Sequence, residues 1–257
     1  MDQNTKQQIL TANLELHKKE AVLYDQIHPE LTNSSESARL DKLLKFTINQ
    51  QNKSALDIGA GTGFVTHKLL KNNYKVTAID LSEEMLGVLK QKFGNNDNLS
   101  VQTIDADTFL DADTKKYSLI DCSSVLHHLP DYILTIKKMV SKLEPNGYLL
   151  FFHEPTSHLA GKIENILRKI DYKLYRIILA FKNVLPKLKS AKLDYTMADY
   201  HVTHGFNADK VLDILKRENL KIIKIERYTT AQTWIMRQIF KLCFTASTWS
   251  LLAQKSN

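Results

Sequence analysis

The stretch LDIGAGTGFVT, residues 56–66, restricts the fold more than any other part of the chain. It follows a short apolar run, SALDI (54–58), and opens a helical pattern, so Gly59, Gly61 and Gly63 fall in a loop between a strand and a helix. Glycine accepts positive φ and lets a ligand approach without Cβ interference, which suits a loop that wraps a nucleoside. Asp80 closes the next apolar run, KVTAI (75–79), where a carboxylate can accept hydrogen bonds from both hydroxyls of a ribose. A dinucleotide fingerprint reads GxGxxG and leaves room for a pyrophosphate at the helix N-terminus, whereas this loop reads GxGxG.

Strand-like and helical patterns alternate from there on. Helices are expected over 63–71, 82–92 and 131–143, and strands at LSVQTI (99–104), YSLIDC (117–122) and YLLFF (148–152). Ser82 and Asp131 supply N-caps, and Pro145-Asn146-Gly147 predicts a turn. Strands joined by crossover helices imply a parallel sheet covered on both faces. After a long helical stretch the pattern resumes with a helix over 207–218, strand LKIIKIERY (220–228), a short helix at 234–242 and strand TWSLLAQK (248–255). Ahead of the core, 4–20 and 37–49 read as helices. The expected organisation is an N-terminal helical lid over 1–50 and a core over 51–257, with a helical insert at 156–206.

At 257 residues the chain is long enough for one sizeable core. No apolar run reaches the length of a membrane span, and the polar MDQNTKQQIL start lacks a signal-peptide pattern, so a cytoplasmic protein is expected. Cys122 and Cys243 stand far apart and outside any CxxC pair, so both are expected to be small buried hydrophobes. The net charge of +7 is concentrated: nine basic and two acidic residues lie between His158 and Lys192, and the rest of the chain is neutral. That pattern argues against a nucleic-acid surface and for one locally basic element. Within it Ile163, Leu167, Ile170, Leu174, Ile177, Phe181, Leu185 and Leu188 recur every three or four residues, as on a basic amphipathic helix. Such a helix over 158–192 is expected to stand over the carboxyl edge of the sheet as a lid, with peripheral contact to an anionic membrane as a second role.

The segments DIGAGTGF, IDLSEEML (79–86), TIDADTF (103–109), LIDCSSVLHHLPD (119–131) and LEPNGYLLFF (143–152) resemble, in order and spacing, the motifs of class I S-adenosylmethionine-dependent methyltransferases. The resemblance is close over 53–152 and loose from 207 onward. It implies a doubly wound, seven-stranded, mostly parallel sheet, a Rossmann-like methyltransferase fold with the last strand antiparallel. S-adenosylmethionine is the implied cofactor. Carried over by residue, Asp57, Gly59, Ala60, Gly61 and Gly63 hold the methionine portion and Asp80 the ribose. Leu81 and Met85 meet the adenine face, Asp105 and Ala106 its amino group and ring edge, and Cys122 and Ser123 approach the methionine from below. Tyr24-Asp25 resembles the YD of an N-terminal helix folded over the cofactor.

Methyl transfer needs proximity, alignment and, for some acceptors, a base. The candidates at carboxyl ends of strands are His127, His128, His153 and Glu154, joined by Asp199, His201 and His204 before the 207 helix. The segment DYHVTHGF resembles an acceptor-pocket region of relatives that modify small molecules or lipids, so His201 is the preferred base, with His153 and Glu154 beside it. The histidine spacing matches no helix-borne ligand signature and no metal is expected. DCSS in place of [DN]PP[YF] disfavours nucleic-acid methylation. The implied reaction is methyl transfer to a small-molecule or lipid-like acceptor. The competing readings are a non-catalytic S-adenosylmethionine-binding protein and a nicotinamide-dependent oxidoreductase.

Overall fold

The computed structural model describes residues 1–156, 162–182, 184, 195–201, 206–242 and 246–256. The chain opens with helix α1 (Gln3–Glu20), the short turns α2 (Tyr24–Ile27) and α3 (Pro29–Thr32), and α4 (Ser34–Leu44). The core runs β1 (Ser54–Ile58), α5 (Phe64–Lys71), β2 (Lys75–Asp80), α6 (Glu83–Phe93), β3 (Leu99–Thr103), α7 (Ala106–Ala112), β4 (Tyr117–Cys122), α8 (Tyr132–Ser141) and β5 (Leu143–Pro155). Beyond it come α9 (Lys162–Phe181), α10 (Tyr195–Ala198), α11 (Ala208–Arg217), β6 (Leu220–Tyr228), α12 (Trp234–Leu242) and β7 (Thr248–Lys255).

One seven-stranded sheet orders the strands β3-β2-β1-β4-β5-β7-β6. Strands pair in parallel except β7, which is antiparallel to both β5 and β6. Apolar side chains fill both faces. Leu40, Leu43, Val65, Leu69 and Leu89 of α4, α5 and α6 cover one, and Phe109, Ile136, Met139, Val211 and Leu215 of α7, α8 and α11 cover the other. Because β1 connects outward to β2 while β4 lies on its other side, the strand order reverses between them, and the crevice at that switch point is where open sheets bind ligands.

The helix starts follow from side-chain capping. Ser82 accepts from the Met85 N–H, Asp131 from Leu134, Asp105 from Thr108 and Asn207 from Asp209 and Lys210. Two expectations are corrected. Pro145-Asn146-Gly147 does not form a turn ahead of the strand: β5 already begins at Leu143, and the segment is absorbed near a register shift against β4, with Asn146 at φ 60°. The helix α7 and the short turns between Ala21 and Thr32 carry too few residues for a helical period to show, and sequence patterning missed them.

The expected insert helix is α9, whereas 157–161, 183, 185–194 and 202–205 lie outside the described residues, His204 among them. No α9 side chain among the described residues lines the central cavity, which corrects its placement as a gate. Instead Tyr175 and Leu179 pack on Ile27 and Leu23, one layer outside that cavity. The buried Asp171 joins α9 to α12 by accepting from the Gln232 N–H (2.7 Å), the Thr233 N–H (3.0 Å) and the Thr233 hydroxyl (2.6 Å). Cys122 is buried, and Cys243 lies outside the described residues. Among the described residues no helix is long and apolar enough to cross a membrane.

Candidate cofactor and acceptor cavity

A cavity of about 150 Å³ opens at the switch point. Its floor is the loop after β1, where Gly59, Gly61 and Gly63 all take positive φ (69°, 54° and 93°). Gly59 and Gly61 border the cavity with Ala60 and Thr62. A Cβ on Gly59 would lie 2.3 Å from Val125 Cγ2, so the β1 and β4 loops touch where only glycine fits. Gly63 stands outside the wall. It starts α5 in a left-handed conformation, and a Cβ there would meet Phe93 at 2.9 Å.

Asp80 holds this loop to the end of β2. Its Oδ2 accepts from the Gly61 N–H (2.8 Å) and its Oδ1 from the Ser82 N–H (2.8 Å), and the carboxylate faces the cavity with acceptor capacity remaining on both oxygens. Leu81, Met85, Ile104, Asp105 and Ala106 continue the same wall. Asp105 spends Oδ1 on capping α7, through Thr108 at 3.0 Å.

Asp57 and Asp121 are register partners on β1 and β4, so they share a face of the sheet and both line the cavity. Cys122, one residue along, turns to the opposite face and packs into the core, away from the cavity wall. Asp57 accepts from the Thr66 hydroxyl (2.5 Å) and Asp121 from the Ser123 hydroxyl (2.6 Å). Burial pushes Asp57 up to about 6 and pushes Asp121 well above the carboxylate range, where the neighbouring Asp57 charge adds to the rise. The pair therefore keeps one proton as pH rises through about 6.

This pair carries a pH prediction. A folded-state pKa above the unfolded value of 3.8 gives stability that is present below about pH 4 and lost as pH rises through about 6. Asp121→Asn removes a carboxyl that folding must keep protonated, so it is expected to stabilise the fold by roughly 2 kcal/mol at pH 8 relative to its effect at pH 4. Urea midpoints across that range would show it, and parallel pH profiles for the two proteins would refute the shared proton.

The opposite wall comes from the N-terminal helices and the loops after β4 and β5. Leu10, Asn13 and His17 of α1, Tyr24 of α2, and Leu31 and Thr32 of α3 face Ser124, Val125, His128, Phe152 and His153. Asp25, next to Tyr24, fastens these turns to the glycine loop: Thr62 donates to its Oδ1 (2.5 Å) and Lys92 to its Oδ2 (2.6 Å). His28 sits between Glu20 (3.2 Å) and Glu30 (3.1 Å), and although burial opposes its charge the two carboxylates hold it up at about 9. Burial pushes His17 and His127 down to about 3 and His128 well below the usual range, so neutral imidazoles occupy this side.

The three expected acceptor-side groups part company. His153 lines the cavity at a bulge in β5 opposite β7, with its backbone in the left-handed region at φ 59°. Its N–H is held by Ser250 Oγ at 3.0 Å, and its Nδ1 lies 3.6 Å from Glu36 Oε2 on α4 with no hydrogen-bond partner. Strained backbone of this kind persists where the surroundings hold it, and it clusters at functional sites.

Glu154 points away from the cavity and is fully buried. It accepts from the N–H groups of Val125 (2.7 Å) and Leu126 (3.0 Å), and its Oε2 pairs with His127 Nδ1 (2.9 Å). Burial pushes it up to about 7, and its visible work is to hold the β4 loop. His201 also lies outside the wall, its Nε2 3.1 Å from the Pro130 carbonyl and its ring edge-on to Tyr132. Ligand atoms of His127, His128 and Asp199 approach within 4.8 Å of one another, with the His128 Nδ1–H turned to the Ala198 carbonyl (2.8 Å).

Asn13, His17, Glu36 and Asp121 were not among the expected site residues. Ile9, Asn13, Leu16 and Glu20 are the buried positions of α1, and polar residues on that stripe were the available signal. Four cavity residues carry buried polar atoms without a protein partner: Asn13 Oδ1, His17 Nδ1, Asp121 Oδ2 and His153 Nδ1. Buried polar groups are ordinarily satisfied, so four around one cavity suit a surface completed by a ligand.

Fold and cavity define an open, doubly wound α/β protein with a ligand site at the carboxyl ends of β1, β2 and β4. Residues 33–225 match the methyltransferase domain family model, and the chain belongs to that family. It is 30% identical over 149 residues to the ubiquinone biosynthesis O-methyltransferase of Coxiella burnetii (strain Dugway 5J108-111), an alignment covering 57% of this chain and 58% of that one. The chain thus spans less than two thirds of the length of these curated relatives. Among solved structures, magnesium protoporphyrin IX methyltransferase from Synechocystis PCC 6803 with bound SAH superposes with a TM-score of 0.58, at 16% identity over 96% of this chain and 100% of that one. The N-methyltransferase NodS from Bradyrhizobium japonicum WM9 in complex with S-adenosyl-l-homocysteine gives 0.54, at 19% identity over 91% and 98%. Both share the fold.

Proposed function

We propose that this protein transfers a methyl group from S-adenosylmethionine to a small, largely apolar or lipid-like acceptor. The observation that carries the reading is Asp80: it holds the glycine loop through the Gly61 N–H and the start of α6 through the Ser82 N–H, and still offers acceptor capacity to the cavity. The methyltransferase membership and the missing pyrophosphate glycine support a nucleoside cofactor over a dinucleotide. When bound, S-adenosylmethionine supplies an electrophilic methyl group on a sulfonium. The residues proposed to hold it are Asp57, Gly59, Ala60 and Gly61 for the methionine end, Asp80 for the ribose, and Leu81, Met85, Asp105 and Ala106 for the adenine. Gly63 shapes the loop, Ser123 holds Asp121, and Tyr24 closes the site from α2. The Asp57/Asp121 pair places negative charge where a cationic ligand gains from it.

His153 is the proposed base in place of His201. An acceptor hydroxyl must lose a proton as it is methylated, and a protonated amine before it, and the imidazole of His153, placed by the bulge, takes it. Methyl transfer asks the protein mainly for alignment and exclusion of water, which the apolar Leu10, Leu31, Val125, Leu129 and Phe152 supply around the cavity. The organisation into a lid segment over 1–50 and a core over 51–257, and a cytoplasmic location, complete the proposal.

Calorimetry is the direct test. S-adenosylmethionine and S-adenosylhomocysteine are expected to bind at one site per chain and NADH not at all. Binding of NADH without either adenosyl ligand would establish the oxidoreductase reading instead. Adenosyl binding with no methyl transfer to any acceptor would favour a binding protein.

A further inference from the structure

The exposed face of α9 and α12 is unlike the rest of the surface. Along α9 the side chains of Ile166, Ile170, Leu174, Ile177 and Phe181 recur every three or four residues and all are exposed, Phe181 to 84%. The stripe one position further round, Asp171, Tyr175 and Leu179, is the buried one. The neighbouring α12, which buries Met236 and Phe240, leaves Trp234 (66%), Ile235 and Leu242 exposed. Soluble surfaces carry such side chains singly, whereas a continuous stripe with an aromatic at its edge marks an interface.

Charge decides between partners. On α9 the exposed Lys169, Lys173 and Arg176 form the face adjoining the apolar stripe, and Lys182 follows it. The sole acid between 166 and 182 is Asp171, which is buried beneath, and α12 carries Arg237 and Lys241 without any acid. A second copy of this chain would bring the same positive charge against itself. An anionic lipid surface satisfies both features, since it takes apolar side chains into the acyl boundary and attracts the basic residues to its headgroups.

We propose that the α9–α12 pair is the docking surface for a membrane rich in anionic lipid. The pair is one rigid unit, because Asp171 caps the start of α12 and Arg168 stacks over Phe240. It is also tied to the cavity's outer wall. The Tyr175 hydroxyl donates to the Gln26 carbonyl, Leu179 packs on Ile27, and the Thr230 hydroxyl donates to the Glu30 carbonyl at 3.1 Å. Docking therefore sets the turns that carry Tyr24, Leu31 and Thr32 close to the bilayer. Resting on the methyltransferase reading, this makes the acceptor an amphiphile that enters from the lipid phase.

Sedimentation of the full chain with phosphatidylcholine vesicles, with and without phosphatidylglycerol, tests the docking independently of catalysis. Binding is expected only with phosphatidylglycerol and to weaken with added salt. Phe181→Asp/Ile177→Asp and Lys169→Glu/Lys173→Glu are each expected to reduce partitioning more than about tenfold. All four side chains are exposed, and unchanged thermal midpoints would show that the variants remain folded. Absence of vesicle binding, binding indifferent to phosphatidylglycerol, or a dimer that Phe181→Asp dissociates would each overturn the proposal. Loss of adenosyl ligand binding with vesicle binding intact would refute the methyltransferase reading and leave the docking surface standing.

Discussion

Asp80→Ala is expected to weaken S-adenosylmethionine binding by about 2–4 kcal/mol, some 30- to 1000-fold in Kd, in a protein that still folds. Two ribose hydroxyls would lose a charged acceptor, each such bond contributing about 1.5–3 kcal/mol less what water recovers. The Gly61 and Ser82 N–H groups lose their acceptor as well, so the glycine loop is no longer held in its binding shape. Asp80→Asn separates the two contributions. It keeps one side-chain carbonyl for a backbone N–H but no anionic acceptor for the ribose, and it is expected to fall between the wild type and alanine. An unchanged Kd in folded Asp80→Ala would remove Asp80 from the site.

Gly59→Ala should be the most damaging single-methyl change in the molecule. Alanine at φ 69° costs about 1–2 kcal/mol, and a Cβ 2.3 Å from Val125 Cγ2 forces the β1 and β4 loops apart at a cost of about 1–3 kcal/mol more. Both loops border the cavity, so ligand binding should fall further than stability does. Gly87→Ala is the matched control. It lies within α6, where a Cβ meets nothing within 4 Å, and helix propensity predicts neutrality or a gain of up to about 1 kcal/mol. Thermal unfolding and adenosyl-ligand calorimetry on the two variants give the comparison, and equal behaviour would show that the loop tolerates a side chain.

The sheet was legible because its central strands are buried on both faces and its helices carry an apolar stripe, two patterns that sequence displays directly. SALDI, YSLIDC, LKIIKIERY and TWSLLAQK coincide with β1, β4, β6 and β7. The cofactor wall was legible for a related reason: Gly59, Gly61, Asp80, Leu81 and Asp105 sit at strand ends, where position along the chain fixes position in space. The opposite wall was not, because it is assembled from segments far apart in sequence. Asn13 meets His128 across 115 residues and His153 meets Glu36 across the whole core, and no local pattern encodes either pairing. His201 was the preferred base on motif position, yet the segment after α10 carries it to the Pro130 carbonyl, outside the wall. Cys122 was misplaced by one residue of strand parity, with Asp121 taking the cavity face.

The two walls of the cavity differ in how the chain delivers them. One is read off consecutive strand ends between Asp57 and Ala106, and the other is gathered from α1 to α3 and from the ends of β4 and β5. A chain built this way is a fixed socket with an exchangeable jaw. On the proposed reading, substitutions in the socket act on every turnover whatever the acceptor, whereas substitutions in the jaw act only on the molecule it grips. New acceptor preferences can therefore arise by swapping or lengthening segments outside the central strands, while the sheet and its glycine loop are inherited unchanged.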